Sequence, residues 1–148
     1  MMYKPEDDGR THINIFSKGN TELGRWMSNF AKQTMTCPEH GTFDSMEGFW
    51  YWLKTGKQHD DLRYLHGALA KQLGRTFEPV YFDPDEFNRQ ILLMINKKIR
   101  GNPKMRMQLA NSTLPFTHYY VYNGTIKQAG YEWITEHWER IRGKLRGE

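Results

Sequence analysis

Asp44-Ser45-Met46-Glu47-Gly48-Phe49-Trp50-Tyr51-Trp52-Leu53-Lys54-Thr55-Gly56 is the stretch on which the reading of this chain turns. Asp44 can cap a helix, Glu47 three positions on completes a capping-box pattern, and Gly56 supplies a stop. Met46, Phe49, Trp50 and Leu53 recur at helical spacing between those signals, so the stretch predicts a helix.

Helical patterns continue downstream. A second helix is predicted from Asp60 or Asp61 to Gly74, with Leu62, Leu65, Leu69 and Leu73 as its apolar stripe. The third has Asp83 as cap, Pro84 at the first helical position and Glu86 at the third, and runs to Gly101. Asn102-Pro103 opens a short fourth helix, and Glu132 to Leu145 forms a last one carrying Trp133, Ile134, Trp138, Ile141 and Leu145. Strands are shorter: His12 to Phe16 alternates polar and apolar, and Lys32 to Thr36 and Gly41 to Phe43 flank the turn Pro38-Glu39-His40-Gly41. His118 to Tyr122 leads into Asn123-Gly124, a strong hairpin signal. No internal repeat or linker is visible. The expectation is an α+β fold, a single domain over 1–148 of about five helices and a few short strands, with residues 1–10 as a flexible N-terminus.

Composition sets the class. In a chain of 148 residues, 38% apolar residues is low, yet 14% aromatic residues is more than disorder would carry, so core and clefts lean on Trp, Tyr and Phe. Cys37 is the single cysteine, which excludes an internal disulfide and suits a reducing compartment. Met1 to Asp8 is polar and acidic, without the apolar run of a signal peptide, and the run Ile91 to Ile95 is too short to span a bilayer. A soluble, cytoplasmic protein without membrane partners is expected, in the host cytoplasm if it is viral. The net charge is +4, and Lys97, Lys98, Arg100, Lys104 and Arg106 form one basic cluster and Arg140, Arg142, Lys144 and Arg146 another. These clusters read either as helix ends matched to the dipole or as a nucleic-acid footprint.

Several chemistries drop out. Gly56-Lys57 lacks the rest of a phosphate loop, and neither HExxH nor GxSxG occurs. Cys37 and His40 are two potential ligands on one turn, too few for a metal site, so no metal is expected. What remains is the helix of Glu47 and Lys54. Seven residues is two turns, so both project from one face with α-carbons roughly 10 Å apart, and Trp50 and Tyr51 lie between them. A carboxylate, an amine and flat rings on one face suit the capture of a nucleoside. The same residues also read as a capping box, a cation at a helix C-terminus and core aromatics.

Three ordered blocks resemble the NADAR family, the NAD- and ADP-ribose-associated domain. Met27-Ser28-Asn29-Phe30 is similar to its Ser-Asn-Phe loop, and Glu47 with Lys54 to its Glu and Lys seven apart on an aromatic helix. Ala70-Lys71-Gln72-Leu73-Gly74-Arg75 resembles the Ala-x-x-x-Gly-Arg ending of the next helix. The likeness covers residues 13 to about 75. In the second half the family's Trp-Gly-rich loop and Gly-x-Asn-x-Leu-Gly motif have only Tyr122-Asn123-Gly124 and Gly130 as counterparts, at a different spacing.

The resemblance implies hydrolysis of N-glycosidic bonds to ADP-ribose without a cofactor, on modified guanine, in DNA above all. An antitoxin or viral anti-defence role would follow. Glu47 would stabilise charge on the sugar or protonate the leaving base, and Lys54 would attack C1 and hold the opened sugar as a Schiff base. Ser28, Asn29 and Phe30 would line the site, Asn29 on ribose hydroxyls; Trp50 and Tyr51 would wall it, and Arg75 would meet pyrophosphate. Asn123 would replace the family's ribose-contacting Asn, although a hairpin turn also explains it. The alternatives are an N-glycosidase of riboflavin-pathway intermediates and a non-catalytic ADP-ribose or nucleotide-binding module.

Overall fold

A computed structural model describes residues 3–147. In chain order the elements are β1 (Ile13–Asn14), α1 (Glu22–Met27), β2 (Met35–Cys37), β3 (Gly41–Phe43), α2 (Met46–Lys54) and α3 (Gly67–Gly74). Then follow α4 (Pro84–Arg100), α5 (Pro103–Asn111), β4 (Phe116–Thr117), β5 (Tyr119–Tyr122), β6 (Thr125–Gln128) and α6 (Glu132–Leu145). Pro5–Asp7 and Asp60–Tyr64 are 3-10 turns. The class is α+β, as the patterning predicts, and no described helix is long and apolar enough to cross a membrane. The described residues divide into two compact units, one formed by residues 3–28 with 103–147, the other by Asn29–Asn102.

In the unit formed by the two ends of the chain, β1 and β4 pair in parallel with Ile13 opposite Phe116, and α5 and α6 pack together. Its core contains Ile15, Met27, Met105, Leu109, Tyr119, Ile134 and Trp138. Residues 1–10 are expected to be flexible, but the described part is tied down: Asp8 is buried and its carboxylate accepts from the N–H groups of Asn14 and Asn20. Met1 and Met2 lie outside the described residues. The helix α1 has no counterpart in the sequence reading; six residues are too few to show a periodic stripe, and Thr21 caps it by accepting from the Gly24 N–H at 2.9 Å. Asn123 (φ 48°) and Gly124 (φ 79°) make the tight left-handed turn between β5 and β6.

In the Asn29–Asn102 unit, α2 packs on α3 and α4 around Phe43, Met46, Phe49, Leu53, Leu62, Ile91 and Met94. The cap of α2 is Ser45, not Asp44. Asp44 lies in a bend, its N–H donating to the Arg63 carbonyl and its own carbonyl accepting from the Gln33 N–H. Ser45 is left to accept from the Gly48 N–H, while its hydroxyl donates to the Leu65 carbonyl. That last bond also explains why the predicted second helix breaks. Leu65 and His66 are extended, and the helix restarts at Gly67 with φ +60°, where glycine suffers no Cβ clash. The restart changes the helical phase, so Leu69 is exposed and Ala70 and Gly74 are buried instead. Downstream, α4 follows its signals: Asp83 accepts from the Glu86 N–H at 3.0 Å.

Candidate active site

Helix α2 turns Met46, Gly48, Phe49, Trp52 and Leu53 into the core, which leaves Glu47, Trp50, Tyr51 and Lys54 on one other face. The four are not equally placed. Glu47, Trp50 and Tyr51 are half-buried, and Lys54 is exposed, its Nζ 5.9 Å from the Tyr51 ring centroid. Trp50 meets Phe87 of α4 edge to face at 4.9 Å.

Tyr51 is pressed under α3. A Cβ placed on Gly74 would fall 2.2 Å from the Tyr51 ring, so only glycine lets the helices approach this closely here. Near the other end of α2, a Cβ on Gly48 would lie 2.3 Å from the Leu62 carbonyl oxygen. The first contact brings the end of α3 against α2, and the second brings the Asp60–Tyr64 turn against the start of α2.

The Asn29–Phe30 loop closes on the same place. The Asn29 carbonyl accepts from the Glu47 N–H at 2.9 Å, and the Phe30 ring lies 5.9 Å below Lys71 Nζ. Glu47, Phe30, Lys71 and Arg75 therefore form one cluster. Burial pushes the Glu47 carboxyl up to about 7, against the opposing pull of the Lys71 and Arg75 charges. No hydrogen bond or close ion pair among the described residues reaches that carboxyl. A carboxyl poised near neutrality can give a proton and take it back, which a carboxylate in its ordinary range cannot do efficiently.

The structure thus joins Asn29, Phe30, Glu47 and Arg75, with Trp50, Tyr51 and Lys54 along the same helix face. Ser28 ends α1, its N–H bonded to the Arg25 carbonyl. Asn123 is exposed at the β5–β6 turn, in the unit formed by the chain ends. Lys71 is the residue that sequence reasoning passed over. It stands within the Ala70–Arg75 block, four residues before Arg75 and so on the same helical face, and that spacing was the available signal.

The basic clusters are partly engaged within the protein. Lys98 is buried, and Lys104 pairs with Glu22 at 3.5 Å. Arg142 donates to the Leu114 carbonyl and lies over Phe116, and Arg146 donates to the Ala110 and Ser112 carbonyls. His40 Nε2 bonds Gln90 Oε1 at 2.8 Å, and Cys37 Sγ accepts from the His40 N–H. Among the described residues no three side chains of metal-binding type gather.

No family model matches this sequence, and no curated protein matches it. Among solved structures, the chain is similar to the NMR structure of the Escherichia coli protein YbiA, with a TM-score of 0.68. Identity is 16%, over 91% of this chain and 84% of that one. The chain has a YbiA-like fold.

Proposed function

We propose that the chain acts as a single YbiA-like domain that hydrolyses an N-glycosidic bond to ADP-ribose, with ADP-ribosylated guanine in DNA as substrate. The observation that carries the reading is Glu47, a half-buried carboxyl held near neutrality beside two cations and a face of aromatic rings. Breaking the bond from ribose C1 to a base nitrogen sends the bonding pair to that nitrogen and leaves positive charge on the sugar. Protonated Glu47 supplies the proton that the departing nitrogen needs, and the carboxylate it leaves behind stabilises the cationic sugar.

In this reading Lys54 completes the reaction as nucleophile. Its nitrogen adds to C1 and loses a proton; ring opening gives an imine. Water then adds across that imine, freeing the sugar aldehyde and the amine. Lys71 and Arg75 suit the pyrophosphate. The exposure of Lys54 favours one second reading, a nucleotide-binding module in which the lysine only holds substrate. Removal of a toxin-made mark, as antitoxin or anti-defence protein, is the role that this chemistry would serve.

The test is direct. The purified protein is incubated with ADP-ribosylated guanine DNA, and mass spectrometry follows free ADP-ribose and restored guanine. Release by the wild type, lost in Glu47→Gln and Lys54→Ala, supports hydrolysis; a sugar adduct trapped on Lys54 by borohydride supports the imine. Binding without release by the wild type leaves the binding module.

A further inference from the structure

The unit formed by the chain ends holds a second concavity, a cleft of about 360 Å³ at the start of α6. That volume is within the range of small-molecule sites. Tyr3, Phe116, His118 and Tyr131 give it aromatic walls, and Gln128 and Thr135 add neutral polar groups. Its charged residues are Glu132 and Glu136; among the described residues no lysine or arginine lines it, in a chain whose net charge is +4.

The two carboxylates are not explained by local structure. A helix dipole favours Glu132 in the first turn of α6, but Glu136 lies a turn further on, where that benefit has faded. Like charges four apart on a helix repel. Neither carboxylate forms an ion pair or a hydrogen bond among the described residues. His118 adds no compensating charge: burial pushes its imidazolium down to about 4, against the pull of Glu132, so the ring is neutral near pH 7. Its buried Nδ1 also has no hydrogen-bond partner, an orphan of the kind that bound ligands often satisfy.

We propose that this cleft binds a small organic cation, a guanidinium or alkylammonium group seated between the aromatic walls and the Glu132–Glu136 pair. The rings attract the cation through their quadrupoles, the carboxylates accept its N–H groups, and the apolar stem lies along Tyr131 and Phe116. The cleft shares no lining residue with the Glu47 cluster, and the proposal goes beyond the glycosidase reading. Two sources share this chemistry, a free polyamine and an arginine side chain of a partner protein.

Titration calorimetry on the full chain with agmatine, spermidine and N-acetyl-arginine amide distinguishes them, with aromatic NMR signals reporting the location. Saturable binding that moves the Tyr131 and His118 signals is expected. In the Glu132→Gln/Glu136→Gln double variant it should weaken by about tenfold or more. Both residues are exposed, so the isosteric changes leave the fold standing; Tyr131→Ala provides a second variant with the same expected direction. Tighter binding of the arginine amide assigns the site to a protein side chain, and tighter binding of spermidine to free polyamines. Unchanged affinity in the double variant, or guanosine moving these signals where no amine does, would overturn the proposal.

Discussion

Both compact units bury polar groups, and Asn14 in one and Glu47 in the other meet opposite fates. In the unit of the chain ends, Asn14 is buried with its groups satisfied. Its N–H donates to Asp8, its Nδ2 to the Tyr119 carbonyl, and its Oδ1 accepts from the Tyr119 N–H and the Thr117 hydroxyl. His12 beside it bonds the Tyr119 hydroxyl at 2.6 Å and the Thr11 hydroxyl at 2.9 Å. At Glu47 and Lys98 of the Asn29–Asn102 unit, burial shifts ionisable groups. Glu47 is pushed up to about 7, and burial pushes the Lys98 ammonium down to about 7. Satisfied polar groups fix a structure; ionisable groups that burial has shifted toward neutrality are available for proton transfer. The contrast singles out Glu47, which burial brings to about 7, as a group suited to proton transfer near neutral pH.

Glu47→Gln should break the contrast most severely. If Glu47 is the proton donor, glycosidic cleavage falls by roughly 10²- to 10⁴-fold in single-turnover assays, while the circular dichroism spectrum is unchanged. In the wild type, activity should decline as pH rises through about 7, because the protonated form is lost there. Stability gives an independent check. The folded-state value is above the ordinary 4.5, so between about 4.5 and 7 the native state binds more protons than the unfolded state, and stability falls with rising pH across that window. Glu47→Gln removes this penalty and should be more stable than wild type at pH 8, by roughly 1–3 kcal/mol. Equal melting curves at pH 8 would count against the buried carboxyl.

Asn14→Ala attacks the satisfied side. It leaves the Tyr119 N–H and carbonyl without their side-chain partners in a buried place, and the cost should be about 3 kcal/mol, read from urea unfolding. No pH dependence should accompany it, since the groups exposed by the change are neutral.

How much of this was legible in the sequence follows the range of the forces involved. Asp83-Pro84-x-Glu86 gave the start of α4 correctly because its cap closes within three residues, and Asn123-Gly124 gave its turn because both left-handed angles are local. The cap at Ser45 and the break before Gly67 were not legible. Both depend on chain segments about twenty residues apart, Asp44 to Arg63 and Ser45 to Leu65. At the site, helical period placed Glu47, Trp50, Tyr51 and Lys54 on one face, but period does not give depth. Depth depends on what packs over each residue: α3 closes over Tyr51, Glu47 is half-buried and Lys54 is exposed.

The close approach of the Asp60–Tyr64 turn makes Gly48 the next place to press. Gly48→Ala puts a Cβ against the Leu62 carbonyl oxygen, a backbone atom that cannot rotate away as a side chain would. The helix must shift, at a cost of about 1–3 kcal/mol in thermal unfolding. Since the shift also disturbs the Glu47 end of α2, the pH limb of the activity should move in the same variant. A loss of stability with an unmoved limb would separate helix packing from the acid.

The smallest expected effect is the most discriminating. Lys71 and Arg75 both oppose the rise at Glu47, Lys71 more strongly. Lys71 is half-buried over Phe30, whereas Arg75 is exposed and its field is screened by water and salt. Removing either positive charge makes the carboxylate harder to form, so Lys71→Gln should move the alkaline fall in activity to higher pH. Arg75→Gln should move it less, and added salt should shrink the Arg75 effect before the Lys71 effect. Carbon-13 NMR of the Glu47 carboxyl reads the same shifts without turnover, which separates tuning of the acid from weaker substrate binding. If neither variant moves that resonance, the two cations do not act on Glu47, and their place beside it has to be explained by the substrate alone.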